Sequence, residues 1–191
     1  MERRLHMHAK KKHIIGMIIS LFLLTVLVSG CSPVRVSDYA GRTPQMVPEE
    51  FFNGFLTAHG VVKDRSGKVI RYFNAEIQAY WEGSVGTLKE DFIFDDGEKQ
   101  QRVWTLMNQD QGQYVGTAND VVGDAKGEVS GNTMFLQYML EVPYGDSMIT
   151  LAIDDRMYLV DEYTLINESK MSKLGFKVGE IILVILKQPK Q

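Results

Sequence analysis

Within "RVW", Arg102 and Trp104 stand two residues apart, and in "EDFIF" so do Glu90, Phe92 and Phe94. In extended chain that spacing puts each set on one face of its strand. If the two runs form a hairpin, Arg102 meets Glu90 beside an aromatic cluster, and its guanidinium can stack on the indole. Two readings stay open. One is a barrel-closing ion pair with a core tryptophan; the other is a pocket in which Arg102 orients a carboxylate or phosphate head and the aromatics hold an apolar tail. Other chemistry is sparse. The chain has no G-x-S-x-G elbow, H-E-x-x-H, C-x-x-C or Walker loop. "GDAKGEVSG" spreads its glycines singly at strand ends, with no helix behind them to cradle a phosphate. Asp95-Asp96 precede Gly97 as turn formers, and Asp154-Asp155 fall where a strand is expected to end. As neighbours on a strand the latter would point to opposite faces and could not act as a dyad. His59 is expected to be an ordinary, partly exposed strand residue. No catalytic residue, metal site or cofactor is assigned. The only cysteine, Cys31 in "LVSGCSP", could be a nucleophile, a redox group, a buried filler or a point of covalent attachment.

What precedes Cys31 decides among these. "MERRLHMHAKKKH" is basic, and "IIGMIISLFLLTVLV" is uncharged and mostly apolar. A basic head, a short apolar run and small residues form a secretory signal, and the run is short for a membrane span. Val28, Ser29, Gly30 and Cys31 then resemble a bacterial lipobox. That resemblance implies thiol acylation at Cys31 and cleavage between Gly30 and Cys31. Two or three acyl chains would hold the product on a membrane stably, without spanning it. Ser32, which is not aspartate, implies sorting to the outer membrane, facing the periplasm, in a diderm host. The expected division is residues 1–30 as a removed signal peptide, 31–48 as the acylated cysteine and a flexible tether, and 49–191 as one β-barrel domain. The implied partners are the membrane, through the lipid on Cys31, and the lipoprotein processing and sorting machinery.

Losing residues 1–30 removes five basic residues and one acid, deepening the net charge from −3 to −7, and leaves His59 as the sole histidine. An acidic chain without a basic stripe is a poor ligand for nucleic acid, so no nucleic acid is expected as a partner. The same charge argues against peripheral binding to anionic lipid surfaces. "SPVRVSDYAGRTPQMVP" is polar and without period, which suits a tether; Pro48 suits the start of a short helix in "PEEFF".

Beyond it, strand-like runs alternate with turn clusters: "KDRSG", "DDGEK", "DAK" and "PYGDS". The expected fold is all-β, an antiparallel meander of eight to ten strands closing into a lipocalin-like barrel, which also removes exposed edges. In "MFLQYMLEV" the face of Met134, Leu136, Tyr138, Leu140 and Val142 is wholly apolar. "IILVILK" is apolar on both faces, which fits either a strand covered by a helix or the tether, the leading expectation, or a barrel that meets apolar matter both inside and outside.

The blocks "FFNGFLTAHGVVKDRSGKVIRYF", "EDFIFDDGEKQQRVW", "YVGTANDVVGDAKGEVSGN" and "DDRMYLVDEYTLINESKMSKLGFKVGE" resemble the bacterial lipoproteins grouped as domain-of-unknown-function family 3833. The likeness runs from about Phe51 to Lys187, and the lipobox agrees with it. It carries no catalytic residue across, because the family has no established biochemistry. The early G-x-W of true lipocalins is missing; "FFNG" stands there instead. Three function classes follow: a module binding or shuttling a fatty-acyl or other apolar ligand in the envelope, a non-catalytic assembly partner, or a lipid-modifying enzyme. The first is the leading expectation, with Arg102, Trp104, Glu90, Phe92 and Phe94 as ligand-binding residues.

Overall fold

The computed structural model describes residues 33–188. The signal segment, the Gly30–Cys31 junction and Ser32 lie outside the described residues. Arg35–Gln191 forms a compact unit of its own. It is built on ten antiparallel strands: β1 (Gly54–Asp64), β2 (Val69–Glu82), β3 (Val85–Phe94), β4 (Lys99–Asn108), β5 (Gln113–Ala118), β6 (Val121–Ser130), β7 (Thr133–Tyr144), β8 (Ser147–Leu159), β9 (Thr164–Lys173) and β10 (Phe176–Lys187). Each strand pairs with its neighbour in sequence, and β10 returns to pair with β1, so the sheet is a closed barrel. Closure satisfies the backbone of both terminal strands and leaves no edge to template aggregation.

Alternation along the strands separates inside from outside. On β2, Phe73, Ala75, Ile77 and Ala79 are buried while the residues between them are exposed. The apolar face of "MFLQYMLEV" points inward along β7, where Met134, Leu136, Tyr138, Leu140 and Val142 all line the interior. On β10, Ile181, Leu183 and Ile185 line the interior as well. The intervening Ile182, Val184 and Leu186 are half-buried. The cover expected for this strand lies elsewhere, because the polar segment packs on β6 and β7.

One end of the barrel is plugged. Helix α1 (Pro48–Phe51) sits there with Phe51 and Phe52 each 3% exposed, packed with Leu56, Met134 and Leu165. Trp81 donates its indole N–H to the Phe52 carbonyl at 2.9 Å. Its ring lies so close over β3 that a Cβ on Gly86 would come within 2.5 Å of it. Glu49 accepts from Tyr114 Oη at 3.0 and 3.1 Å and from Asn108 Nδ2 at 2.6 Å, tying the helix to β4 and β5.

Three expectations need correction. The segment expected to be a free tether is strapped to the wall from a short 3-10 turn (Val36–Tyr39) onward. Tyr39 packs against Phe135 and Tyr158, and Met46 N–H donates to the Gly131 carbonyl at 2.8 Å. A Cβ on Gly131 would lie 1.9 Å from the Tyr39 carbonyl oxygen, so only glycine lets the strap pass. "DAK" is no turn: it lies inside β6, and the chain reverses at Asn119-Asp120. Asp154-Asp155 do not end a strand: β8 runs straight through them to Leu159. At Asp154-Asp155 polar side chains mimic a turn in sequence while pairing with β7 and β9 holds the chain extended; "DAK" follows a bulge at Gly123, φ 72°, where the ladder to β7 skips from Val122 to Lys126.

Candidate functional site

The interior is a cavity of about 920 Å³, running from the end where β1 meets β2 down to Phe52 of the plug. Glu90, Phe92, Phe94, Arg102 and Trp104 all line it. The hairpin register sets Glu90 opposite Arg102 and Leu88 opposite Trp104. Phe73, Phe92 and Phe94 form an aromatic shelf with centroids 5.8–6.4 Å apart. The Arg102 guanidinium lies 5.7 Å from the Phe92 centroid, and Trp104 meets Tyr138 edge to face at 5.2 Å.

The principal partner of Arg102 is one that sequence reasoning missed. β5 is short, so its ladder with β4 stops at Trp104↔Ala118. Beyond that point Asn119 takes over, accepting from Val103 N–H at 2.9 Å and donating to the Gln101 carbonyl at 3.3 Å. The same turn swings Asp120 against Arg102. Nε donates to both carboxylate oxygens at 2.9 and 3.0 Å, and Nη2 donates to Oδ2 at 2.7 Å. Glu90 is left with Arg102 Nη1 at 3.9 Å, the outer limit of an ion pair.

A second polar group crosses the cavity from β8 and β9. Asp155, only 8% exposed, accepts on Oδ1 from Asn167 Nδ2 and from Ser169 Oγ, the latter at 2.7 Å. Its neighbour Asp154 pairs instead with Arg156 at 2.8 Å. Sequence did hold a signal for Asp155. With β8 read as continuous, Leu151, Ile153, Asp155, Met157 and Leu159 form one inward face, and an acid among four apolar residues stands out. Asn167 and Ser169 interrupt the inward face of β9 in the same way.

Burial dominates the electrostatics of this band. It pushes the Glu90 carboxyl up to about 7, against the pull of Arg102 and with help from Asp120 and Asp155. Asp155 is pushed up by burial too, partly offset by its bonds from Asn167 and Ser169. The Tyr138 phenol is raised by burial and by nearby Asp155. Arg102, despite burial, is held firmly protonated by Asp120 and Glu90.

The other residues weighed for chemistry stay apart from the cavity. His59 is exposed on β1, its Nδ1 2.6 Å from Asn74 Oδ1. Asp96 caps its turn, accepting from Glu98 N–H at 2.9 Å and from Arg71. Among the described residues, no group of three or more His, Cys, Asp or Glu side chains is placed to hold a metal ion.

A family profile described as "Protein of unknown function (DUF3833)" matches residues 25–187. No curated protein matches the sequence. Among solved structures, the S-type phycobiliprotein lyase CPES from Guillardia theta is similar with a TM-score of 0.54 and 11% sequence identity. The match covers 76% of this chain and 95% of that one. At that identity the likeness shows a shared lipocalin-like barrel fold.

Proposed function

The chain belongs to DUF3833, a family of proteins of unknown function, and from that premise we propose that the barrel binds an apolar, lipid-sized molecule in the cell envelope. The observation that carries this reading is the 920 Å³ cavity, apolar along most of its wall and open at one end. That volume equals about thirty waters at roughly 30 Å³ each. It lies at the upper end of ordinary ligand sites, which run to about 1,000 Å³. A filled structural barrel would have placed large side chains there. Here Ala58 puts only a small side chain on the cavity wall, and Gly60 leaves room for the ring of the cavity-lining Phe73, which a Cβ there would meet at 2.4 Å. The fold neighbour is named for acting on phycobiliproteins, and its barrel supports ligand handling as a use of this architecture.

The anchor completes the reading. The Cys31 thiol is acylated, the chain is then cut between Gly30 and Cys31, and Ser32 permits sorting to the outer membrane, where the barrel faces the periplasm. Cys31→Ala should leave an unprocessed precursor by intact mass; normal processing would refute lipidation. In a diderm host Ser32→Asp should move the protein to the inner-membrane fraction.

Native mass spectrometry of the barrel unit 35–191 tests the cavity reading. The closed ladder and internal core make this unit self-contained. A co-purifying apolar mass, displaceable by long-chain alcohols, is the expected result; a barrel that stays empty with every chain offered overturns it. A second reading, docking of an envelope partner, is favoured by the exposed apolar hairpin tips at the open end. There Leu174 is 90%, Phe176 77% and Tyr144 71% exposed.

A further inference from the structure

The polar band halfway down the cavity is unbalanced. Glu90, Asp120 and Asp155 face it, with Arg102 as the one cation at that depth. Lys63, Arg71 and Lys173 line the open end instead. Each is engaged there: Lys63 with Glu180, Arg71 with Asp96 and Glu98, and Lys173 with the Thr150 carbonyl. Arg102 is already committed, since Nε and Nη2 are spent on Asp120. Glu90 accepts no hydrogen bond from any described residue; its one ion-pair partner among them is Arg102, with Nη1 at 3.9 Å.

A ligand reaching this band with an anionic head would add a negative charge beside three acids sharing one guanidinium, in a low-dielectric wall. A head that donates hydrogen bonds meets acceptors waiting for it. We propose that the cavity selects apolar chains whose polar group is a donor, a hydroxyl, amide or ammonium, seated against Glu90 and Asp155, and that it disfavours free carboxylates and phosphates. This rests on the apolar-ligand reading above and names its ligand class. It reverses the role expected for Arg102, which serves Asp120 and leaves Glu90 to the ligand. The Glu90 carboxyl, pushed up by burial that Arg102 only partly offsets, fits this arrangement. The groups facing it are Arg102, Asp120, Asp155 and Tyr138, so a bound ammonium would be its nearest uncommitted cation.

The test is calorimetric titration of the barrel unit 35–191 with three probes sharing one chain: laurate, dodecan-1-ol and dodecylamine, at pH 6 and pH 8. Dodecylamine should bind at least tenfold tighter than laurate at pH 8, with the alcohol between them. Its advantage should shrink at pH 6 as Glu90 takes up a proton. Glu90→Gln, near-isosteric and checked for fold by circular dichroism, should reduce the tenfold gap to less than threefold. Laurate binding as tightly as dodecylamine, or a gap unchanged in Glu90→Gln, overturns the head-group assignment while leaving the apolar-ligand reading intact. Failure of all three probes to bind overturns that reading and this one with it.

Discussion

The two ends of the barrel are built to opposite rules. At the plugged end, Phe51, Phe52, Leu56 and Leu165 are almost fully buried, the backbone passes through a required glycine, and polar groups pair across elements. At the open end, a smaller cluster of Leu140, Leu151 and Ile153 leaves apolar side chains facing empty volume, and the hairpin tips expose Leu174 and Phe176. Leu174 there sits at φ 49°, a left-handed conformation that leucine adopts at a cost, whereas the left-handed non-glycine residues of the β4–β5 turn at the plugged end are the polar Asp110 and Gln111. The contrast assigns stability to one end and access to the other. A barrel packed equally at both ends could hold nothing, and one open at both would lack the core to stand alone.

The sharpest way to break this contrast is at the plug. Phe52→Ala should cost about 3–5 kcal/mol, the usual penalty for truncating a buried aromatic, read from urea midpoints. Phe176→Ala at the open end should stay within about 0.5 kcal/mol. Equal losses would show that the two ends share the load.

Next in size is the pH dependence stored in the polar band. The unfolded chain ionises Glu90 near its ordinary value of 4.5, the barrel only near 7. Between those values the native state holds a proton that the unfolded state lacks, so stability falls as pH rises. The loss is complete above 7 at roughly 3 kcal/mol. Glu90→Gln should flatten most of that slope in denaturation curves taken from pH 4.5 to 8, leaving the part owed to Asp155.

Filling the cavity should separate binding from folding. Leu183→Trp, on the inward face of β10, should weaken dodecan-1-ol binding more than tenfold, for an overpacking cost of about 1–3 kcal/mol. The smallest effect expected is a gain. Leu174→Gly should relieve the left-handed strain and raise stability by about 0.5 kcal/mol in thermal melts, with the plug untouched.

Period-two alternation and turn clusters made most of this architecture readable before any coordinates. The register that sets Glu90 against Arg102 follows from one hairpin and its two runs. What escaped was non-local. Asp120 meets Arg102 only because β5 is shorter than its neighbours, and strand length at a turn is decided by ladder pairing that no local window contains. Asp155 escaped for a different reason: "DD" looks like a turn, and the apolar face that carries it through β8 shows only when the strand is assumed to continue. The polar segment before Pro48 looked like a tether because its anchoring residues, Tyr39 and Met46, are single apolar side chains without a period.

The ladder between β1 and β10 joins the first strand made to the last. Until Phe176–Lys187 is available, β1 and β9 are both raw edges, and the plug helix lacks the Lys187 ammonium that donates to the Glu50 carbonyl. Contacts so far apart in sequence form slowly. The ring therefore cannot close until β10 is made, and the nine strands before it wait with two open edges.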